Sequence, residues 1–118
     1  FDPVSYFAAG VTAPLAGQPE HALRHQGVNY LFASAASRAQ FLADPARFEP
    51  AFGGWSALGL AKDRLVLPDP KVFSVDGGRL LLFHAEGKSD PRERWRVDAA
   101  KHLERAEARW AGVLAGQD

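Results

Sequence analysis

The chain contains no cysteine and no methionine. This excludes disulfide bonds, cysteine nucleophiles and thiolate or thioether ligands, so soft metal ions lack the sulfur donors that they prefer. The chain also has no excess of positive or negative charge, because fourteen Lys and Arg residues balance fourteen Asp and Glu residues. Without a basic patch we expect no binding of nucleic acid. No apolar run approaches the roughly 20 residues that a membrane span needs, so we expect no membrane insertion.

The residues that are present suffice for one small core. With 118 residues, 47% of them hydrophobic, we predict a single domain over residues 1–118 that buries about two-thirds of its unfolded surface. Two β-hairpins are indicated. Alternating residues 21–25 and 28–32 flank Gln26-Gly27, and residues 72–75 and 79–84 flank Asp76-Gly77-Gly78, where glycine favours a tight turn.

Capping residues predict short helices between the hairpins. Ser34 is placed to cap a helix at Ala35–Ala43, and Asp44-Pro45 ends that helix and starts another, with Asp44 as its N-cap. Residues 55–61 indicate a third short helix. Residues 1–17 are expected to form a loop, and Pro68 and Pro70 are expected to keep their connection irregular.

A long final helix is predicted over residues 92–115, with Asp90 as N-cap and Pro91 at the first position. Such a helix would be roughly 36 Å long, which exceeds the need of a small domain, so we expect a bend or a protruding end. We expect His102 on the exposed face, in contact with Asp98. The apolar stripe consists of Trp95, Ala99, Leu103, Ala106, Trp110 and Val113. Together these elements predict an α+β fold.

Several short motifs resemble the YHS domain family in its longer, stand-alone form. They are Asp2-Pro3-Val4-Ser5-Tyr6-Phe7, Phe32-Ala33-Ser34, Phe41, Asp44-Pro45, Phe48, Pro50 and Gly53-Gly54. The resemblance implies a small YHS-like α+β domain, two hairpins packed with short helices and a long C-terminal helix, of a kind often proposed to bind heavy-metal ions. Long-form relatives often carry a secretory signal peptide, so the resemblance also implies a periplasmic or otherwise exported protein, with the cytoplasm as the alternative.

The chain departs from the pattern of that family at the ligand positions. Ser5, Ala33 and Ser56 stand where similar proteins have cysteines, and Leu31 stands where they have a histidine. A serine hydroxyl or an alanine methyl group cannot replace a thiolate. The resemblance therefore carries over the fold, and it does not carry over the metal site.

Two sets of residues are candidates for a binding site. Aromatic side chains beside two glycines, with a serine and a nearby arginine, form the candidate ligand pocket: Tyr30, Phe52, Gly53, Gly54, Trp55, Ser56 and Arg38. Packing against a tight turn is the alternative explanation. The candidate metal ligands are His21 and His25, and the candidate cofactor is a divalent transition metal. Two ligands are too few for a closed site. Partly buried packing histidines are the alternative.

The sequence contains no assembled catalytic motif. Ser34, Ser37 and Ser56 are the serines considered as nucleophiles, and Ser56 lies near small residues, but no Gly-x-Ser-x-Gly elbow accompanies them. We therefore predict a small non-enzymatic binding or accessory module whose partner is a small molecule or another protein, and leave its oligomeric state open. The alternative is a metal-binding domain that uses histidines and carboxylates in place of thiols.

Overall fold

The computed structural model describes residues 1–85 and 87–116. Among these residues helix accounts for 43% and strand for 24%, which confirms the predicted α+β class. In chain order the elements are a 3₁₀ helix at Pro3–Phe7, β1 at Gln18–His25, β2 at Val28–Phe32, α1 at Ala35–Ala43, α2 at Pro45–Phe48, a second 3₁₀ helix at Ala51–Gly54, α3 at Ala57–Ala61, β3 at Asp69–Asp76, β4 at Arg79–Phe83, α4 at Pro91–Val97 and α5 at Ala99–Leu114.

Both predicted hairpins are present. Strands β1 and β2 pair antiparallel with Leu23 opposite Tyr30, and an irregularity precedes Ala22. Strands β3 and β4 form the second two-stranded sheet. The expectation that Pro70 would keep its segment irregular is wrong, because β3 already begins at Asp69. Proline is tolerated at the start of a strand, where few ladder hydrogen bonds are lost.

The chain forms two compact units, each with its own apolar cluster. The first unit comprises Phe1–Glu49 and Val75–Leu80, and the second comprises Pro50–Ser74 and Leu81–Asp118. The core of the first consists of Phe32, Phe41 and Phe48, with Val4, Phe7, Leu23 and Tyr30 packed against them. The core of the second consists of Phe52, Ala57, Leu58, Leu60, Ala61, Leu81, Phe83, Trp95 and Ala106. That residues 1–118 act as one domain stays a prediction.

Two of the predicted side-chain caps, Ser34 and Asp90, are present. Ser34 accepts a hydrogen bond from the N–H of Ser37 at 3.2 Å, and Asp90 accepts one from the N–H of Arg92 at 2.9 Å. Asp44 occupies the N-cap position of α2, but within the described residues its side chain makes no capping bond. Its backbone conformation, φ −155° and ψ 74°, also serves as the end of α1.

The C-terminal helix bends, as its length predicted. Helix α4 ends and α5 begins at Asp98, whose φ of −151° is not helical. Trp95 is 2% exposed and contacts Phe83 edge to face, with ring centroids 5.6 Å apart. Ala99 was expected in the apolar stripe, but it is exposed because the break at Asp98 changes the phase of the helix.

Over residues 1–85 and 87–116, no helix has the length and apolarity to cross a bilayer.

The prediction that His102 lies on the exposed face is wrong. Its side chain is 8% exposed and stacks on the indole of Trp95, with ring centroids 5.6 Å apart. Its Nδ1–H donates to the carbonyl oxygen of Trp95 at 2.9 Å. The same carbonyl accepts a long bond of 3.4 Å from the N–H of Asp98, because α4 ends two residues later.

Candidate functional site

The carboxylate of Asp2 organises the first unit. Its side chain is 1% exposed, and its Oδ1 accepts a hydrogen bond from the N–H of Val4 at 2.8 Å. Oδ2 accepts from the N–H of Ala33 at 2.9 Å and from the hydroxyl of Ser37 at 2.6 Å. A buried carboxylate is tolerated when donors surround it. Asp2 therefore ties together the first 3₁₀ helix, the end of β2 and the start of α1.

Ser5 extends this network toward the loop that follows. Its buried hydroxyl donates to the backbone oxygen of Asp2 at 2.6 Å and accepts from the N–H of Leu15 at 2.9 Å. The N–H of Asp2 donates to the carbonyl of Leu15 at 2.8 Å. A hydroxyl is both a good donor and a good acceptor, whereas a thiol is weak in both roles. Serine at this position therefore fits the frame better than the cysteine that the family resemblance implies.

These segments surround a cleft of about 300 Å³ in the first unit, here called the Asp2 cleft. Ser5 and Ala33, two of the positions where the resemblance implies cysteines, both line it. Phe7 and Phe48 supply an aromatic wall, in edge-to-face contact with centroids 5.3 Å apart. The full lining is Asp2, Val4, Ser5, Phe7, Ala8, Leu15, Ala33, Ser34, Ser37, Gln40, Arg47 and Phe48.

Two exposed polar side chains of the cleft, Arg47 and Gln40, have donor groups that bond to no acceptor among the described residues. The Cζ atom of Arg47 lies 5.2 Å from the centroid of the Phe48 ring, a distance at which a cation and an aromatic face attract each other. Arg47 and Gln40 are exposed, and neither side chain forms a hydrogen bond or an ion pair with any residue that the structure describes. Both therefore have donors for a ligand.

Tyr30 and Arg38, two of the predicted pocket residues, belong to the first unit and do not line the Asp2 cleft. Tyr30 packs against Phe41 with centroids 4.8 Å apart. Burial, and to a smaller extent the negative charge of Glu49, raise the pKa of the Tyr30 hydroxyl. Arg38 donates from Nε to the carbonyl of Ala22 at 3.1 Å. Their place in a ligand pocket stays a prediction.

The other pocket residues lie in the second unit and take part in its packing. Phe52 is buried, Trp55 is half-buried, and both contact the same core. Gly53 and Gly54 have φ of 61° and 88°. A Cβ atom on Gly53 would lie 2.6 Å from Cη2 of Trp110, so a side chain at this position would displace the indole ring. Close packing against a turn, the alternative explanation, accounts for these contacts.

Ser56 forms a buried pair with His84 that the sequence analysis missed. The Ser56 side chain is 0% exposed, and its Oγ lies 2.7 Å from Nδ1 of His84. The same oxygen accepts from the N–H of Gly59 and from the N–H of His84, each at 3.2 Å. Since these two donors face both lone pairs of Oγ, the hydroxyl donates its own proton to Nδ1 of His84.

This geometry makes Ser56 the N-cap of α3 and an anchor for the end of β4. The residue is 0% exposed, so its hydroxyl is not accessible to a substrate, as a nucleophilic serine must be. The pair is separated by 28 positions. A serine before a short helix and a histidine after a buried strand are local signals, but neither indicates that the two residues meet.

His25, one of the candidate metal ligands, contacts a carboxylate. Its Nε2 lies 3.3 Å from Oε1 of Glu49, and its ring meets Phe41 edge to face at 5.6 Å. His21 and His25 lie on the half-buried face of β1, as the alternation predicted. Among the residues that the structure describes, no three His, Asp or Glu side chains are grouped so as to hold a metal ion. Metal binding at this face stays a prediction.

Comparison of the chain with protein-family models, curated proteins and solved structures found no match. The resemblance to the YHS domain family therefore still depends on the motifs quoted above, and it stays a prediction.

Proposed function

We propose that the chain is a non-catalytic binding module and that the Asp2 cleft is its ligand site. The observation that carries this proposal is the cleft itself, with a volume of about 300 Å³ and a mainly apolar lining. Small-molecule sites are concave, range from about 300 to 1,000 Å³, and combine apolar walls with a few polar groups. The Asp2 cleft has these properties at the small end of that range.

The chemistry of the lining favours binding over catalysis. The twelve lining residues include no His, Lys, Tyr or Glu, so Asp2 is the one side chain there that could act as a general base. General acid–base catalysis requires a group that can reach and exchange a substrate proton. Asp2 is buried and its oxygens already hold three donors. Its role in the proposal is to fix the walls of the cleft.

Native mass spectrometry of protein isolated from its own host tests this proposal. We expect a retained organic molecule in the wild type. Ala8 is exposed and lines the cleft, whereas Ala9 is exposed and lies outside the lining. Ala8→Trp should fill the cleft and remove the bound mass, and Ala9→Trp should retain it. A bound mass that is kept or lost equally in the two variants, or a wild type without one, contradicts the proposal.

Metal binding through His21 and His25 is the second candidate function. It is favoured by their common half-buried face on β1 and by the carboxylate of Glu49 beside His25. Imidazole and carboxylate are suitable ligands for zinc, and imidazole also suits nickel and copper.

A further inference from the structure

We infer that the ligand of the Asp2 cleft is a small carboxylate with an apolar body, whose carboxylate binds Arg47 and Gln40. This inference rests on the proposed function, because it assigns a chemical class to the ligand of the same cleft.

The charge of the ligand follows from the two charged residues of the lining. Arg47 is the one cation among them, and its guanidinium pairs with no carboxylate of the described residues. Asp2 is the one anion, but it is buried and holds three donors. A cationic ligand would therefore meet no accessible carboxylate, whereas an anionic ligand would meet an exposed guanidinium.

The shape of the polar groups favours a carboxylate. A guanidinium is planar and presents parallel N–H donors that match two oxygens of a carboxylate or of a phosphate. Because Arg47 is the single cation of the lining, it balances the one charge of a carboxylate better than the roughly two charges of a phosphate monoester. The ring of Phe48 lies beside the guanidinium of Arg47, with 5.2 Å between Cζ and the ring centroid. This contact favours positions of the guanidinium beside the aromatic wall of the cleft, which reduces the entropy that binding would cost. The amide of Gln40 adds a neutral donor.

The remaining walls require that the ligand also has an apolar part. Val4, Phe7 and Phe48 line the cleft, and Leu15, which also lines it, is 58% exposed. Acetate or inorganic phosphate would bind the donors and leave this surface in water. A ligand with an apolar body would cover it and gain hydrophobic stabilisation.

The volume limits the size of that body. The cleft has a volume of about 300 Å³, which lies at the lower end of the range for small-molecule sites. A ring or a short branched chain joined to a carboxylate fills this space. A long acyl chain would extend beyond the cleft into solvent.

Isothermal titration calorimetry with four probes tests the inference: 3-phenylpropionate, its neutral amide 3-phenylpropionamide, acetate and inorganic phosphate. At low ionic strength we expect the acid to bind at least about tenfold more tightly than the amide, since charge-assisted bonds are about twice as strong as neutral ones. Acetate and phosphate should bind more weakly than the phenyl acid. Ala8→Trp should weaken binding of both phenyl probes.

Two variants of Arg47 test whether this residue binds the charge of the ligand. Arg47→Gln should remove the preference for the acid over the amide, and Arg47→Lys should keep part of it. Arg24→Gln is the matched control, because Arg24 is exposed on β1, contacts Asn29 and lies outside the lining. It should leave the affinities unchanged. Thermal melts of each variant confirm that it is folded before the titrations are compared.

Three results overturn the inference. Equal affinity for acid and amide, with both blocked by Ala8→Trp, would support the cleft as a ligand site and refute the carboxylate. Phosphate or acetate binding as tightly as the phenyl acid would refute the apolar body. If none of the probes binds, the assigned ligand class is wrong, while the mass retained from the host decides separately whether the binding module itself is correct.

Discussion

The hydroxyl of Ser37 donates to the carboxylate of Asp2 at 2.6 Å, across 35 positions of sequence. The same oxygen of Asp2 accepts the N–H of Ala33. A single side chain near the N-terminus thus holds a strand end and a helix start that are far away in sequence. The first unit should depend on it more than on any surface contact.

Asp2→Ala should lower the free energy of unfolding by roughly 3 kcal/mol, because three partly buried donors lose their common acceptor at about 1 kcal/mol each. Ser37→Ala removes one donor and leaves Asp2 with its two backbone partners, so it should cost about 1 kcal/mol. Urea denaturation of the two variants measures both values. Equal costs would contradict the central role of Asp2.

Ser34 and Asp44 should differ as helix caps. Ser34→Ala removes an observed capping bond and should cost about 1 kcal/mol, as such substitutions do. Asp44→Ala removes no capping bond among the described residues, so its cost should stay below about 0.5 kcal/mol, the level of ordinary surface substitutions. A larger shift of the urea midpoint for Asp44→Ala than for Ser34→Ala would contradict this assignment.

Local signals in the sequence predicted most of the secondary structure. Alternation around two turns predicted both hairpins, and Ser34 and Asp90 marked helix starts, because a cap needs partners only two or three residues away. The length of the final helix predicted its bend. The sequence did not predict that the bend lies at Asp98. For this reason His102 was expected on the surface rather than against Trp95.

The candidate site was harder to predict because its parts are distant in sequence. The Asp2 cleft combines residues 2–8, 15 and 33–48, and no spacing rule indicates that they meet. The motif comparison drew attention to Ser5 and Ala33 as lost ligands, and both do line the cleft. The pair of Ser56 and His84 was missed for the same reason, since a contact over 28 positions is set by tertiary packing.

Soft metal ions should bind weakly. The chain offers no sulfur donor, and Cu(I) and Ag(I) prefer thiolate or thioether ligands. Calorimetry with Ag(I) should show no tight stoichiometric complex, and finding one would refute this prediction.

Titration with Zn(II) and Ni(II) tests the second candidate function. Tight binding that is lost when His21 and His25 are both replaced by alanine would favour it over the ligand module.

Asp90 should make stability depend on pH in acid. The hydrogen-bonded guanidinium of Arg92 holds the pKa of Asp90 below its ordinary value of 3.8, and the two groups lie 2.8 Å apart. Because the pKa is lower in the folded state, the stabilisation is present above the unfolded value and is lost as pH falls through the folded value. Both side chains are partly exposed, so its size should be below about 1 kcal/mol.

Asp90→Asn isolates this charge, since asparagine also caps helices well. The difference in unfolding free energy between wild type and Asp90→Asn should be constant near neutral pH and should disappear below the folded pKa of Asp90. Urea denaturation at a series of pH values measures it. High salt should reduce the difference at neutral pH, because partly exposed charges are screened. A difference that grows as the pH falls would have the wrong sign.

Gly53 and Trp110 should be energetically coupled. Gly53 and Gly54 both have positive φ, so alanine at either position should cost about 1 kcal/mol for backbone strain. A Cβ on Gly54 would meet nothing within 4 Å among the described residues, whereas on Gly53 it would lie 2.6 Å from the Trp110 ring. Gly53→Ala should therefore cost more than Gly54→Ala by about 1–3 kcal/mol, the usual cost of overpacking.

In a Trp110→Ala background this excess should vanish, and a double-mutant cycle measures the coupling. If the two glycine variants cost the same, or if the cost of Gly53→Ala is unchanged without the indole, the turn rather than the ring sets the requirement for glycine.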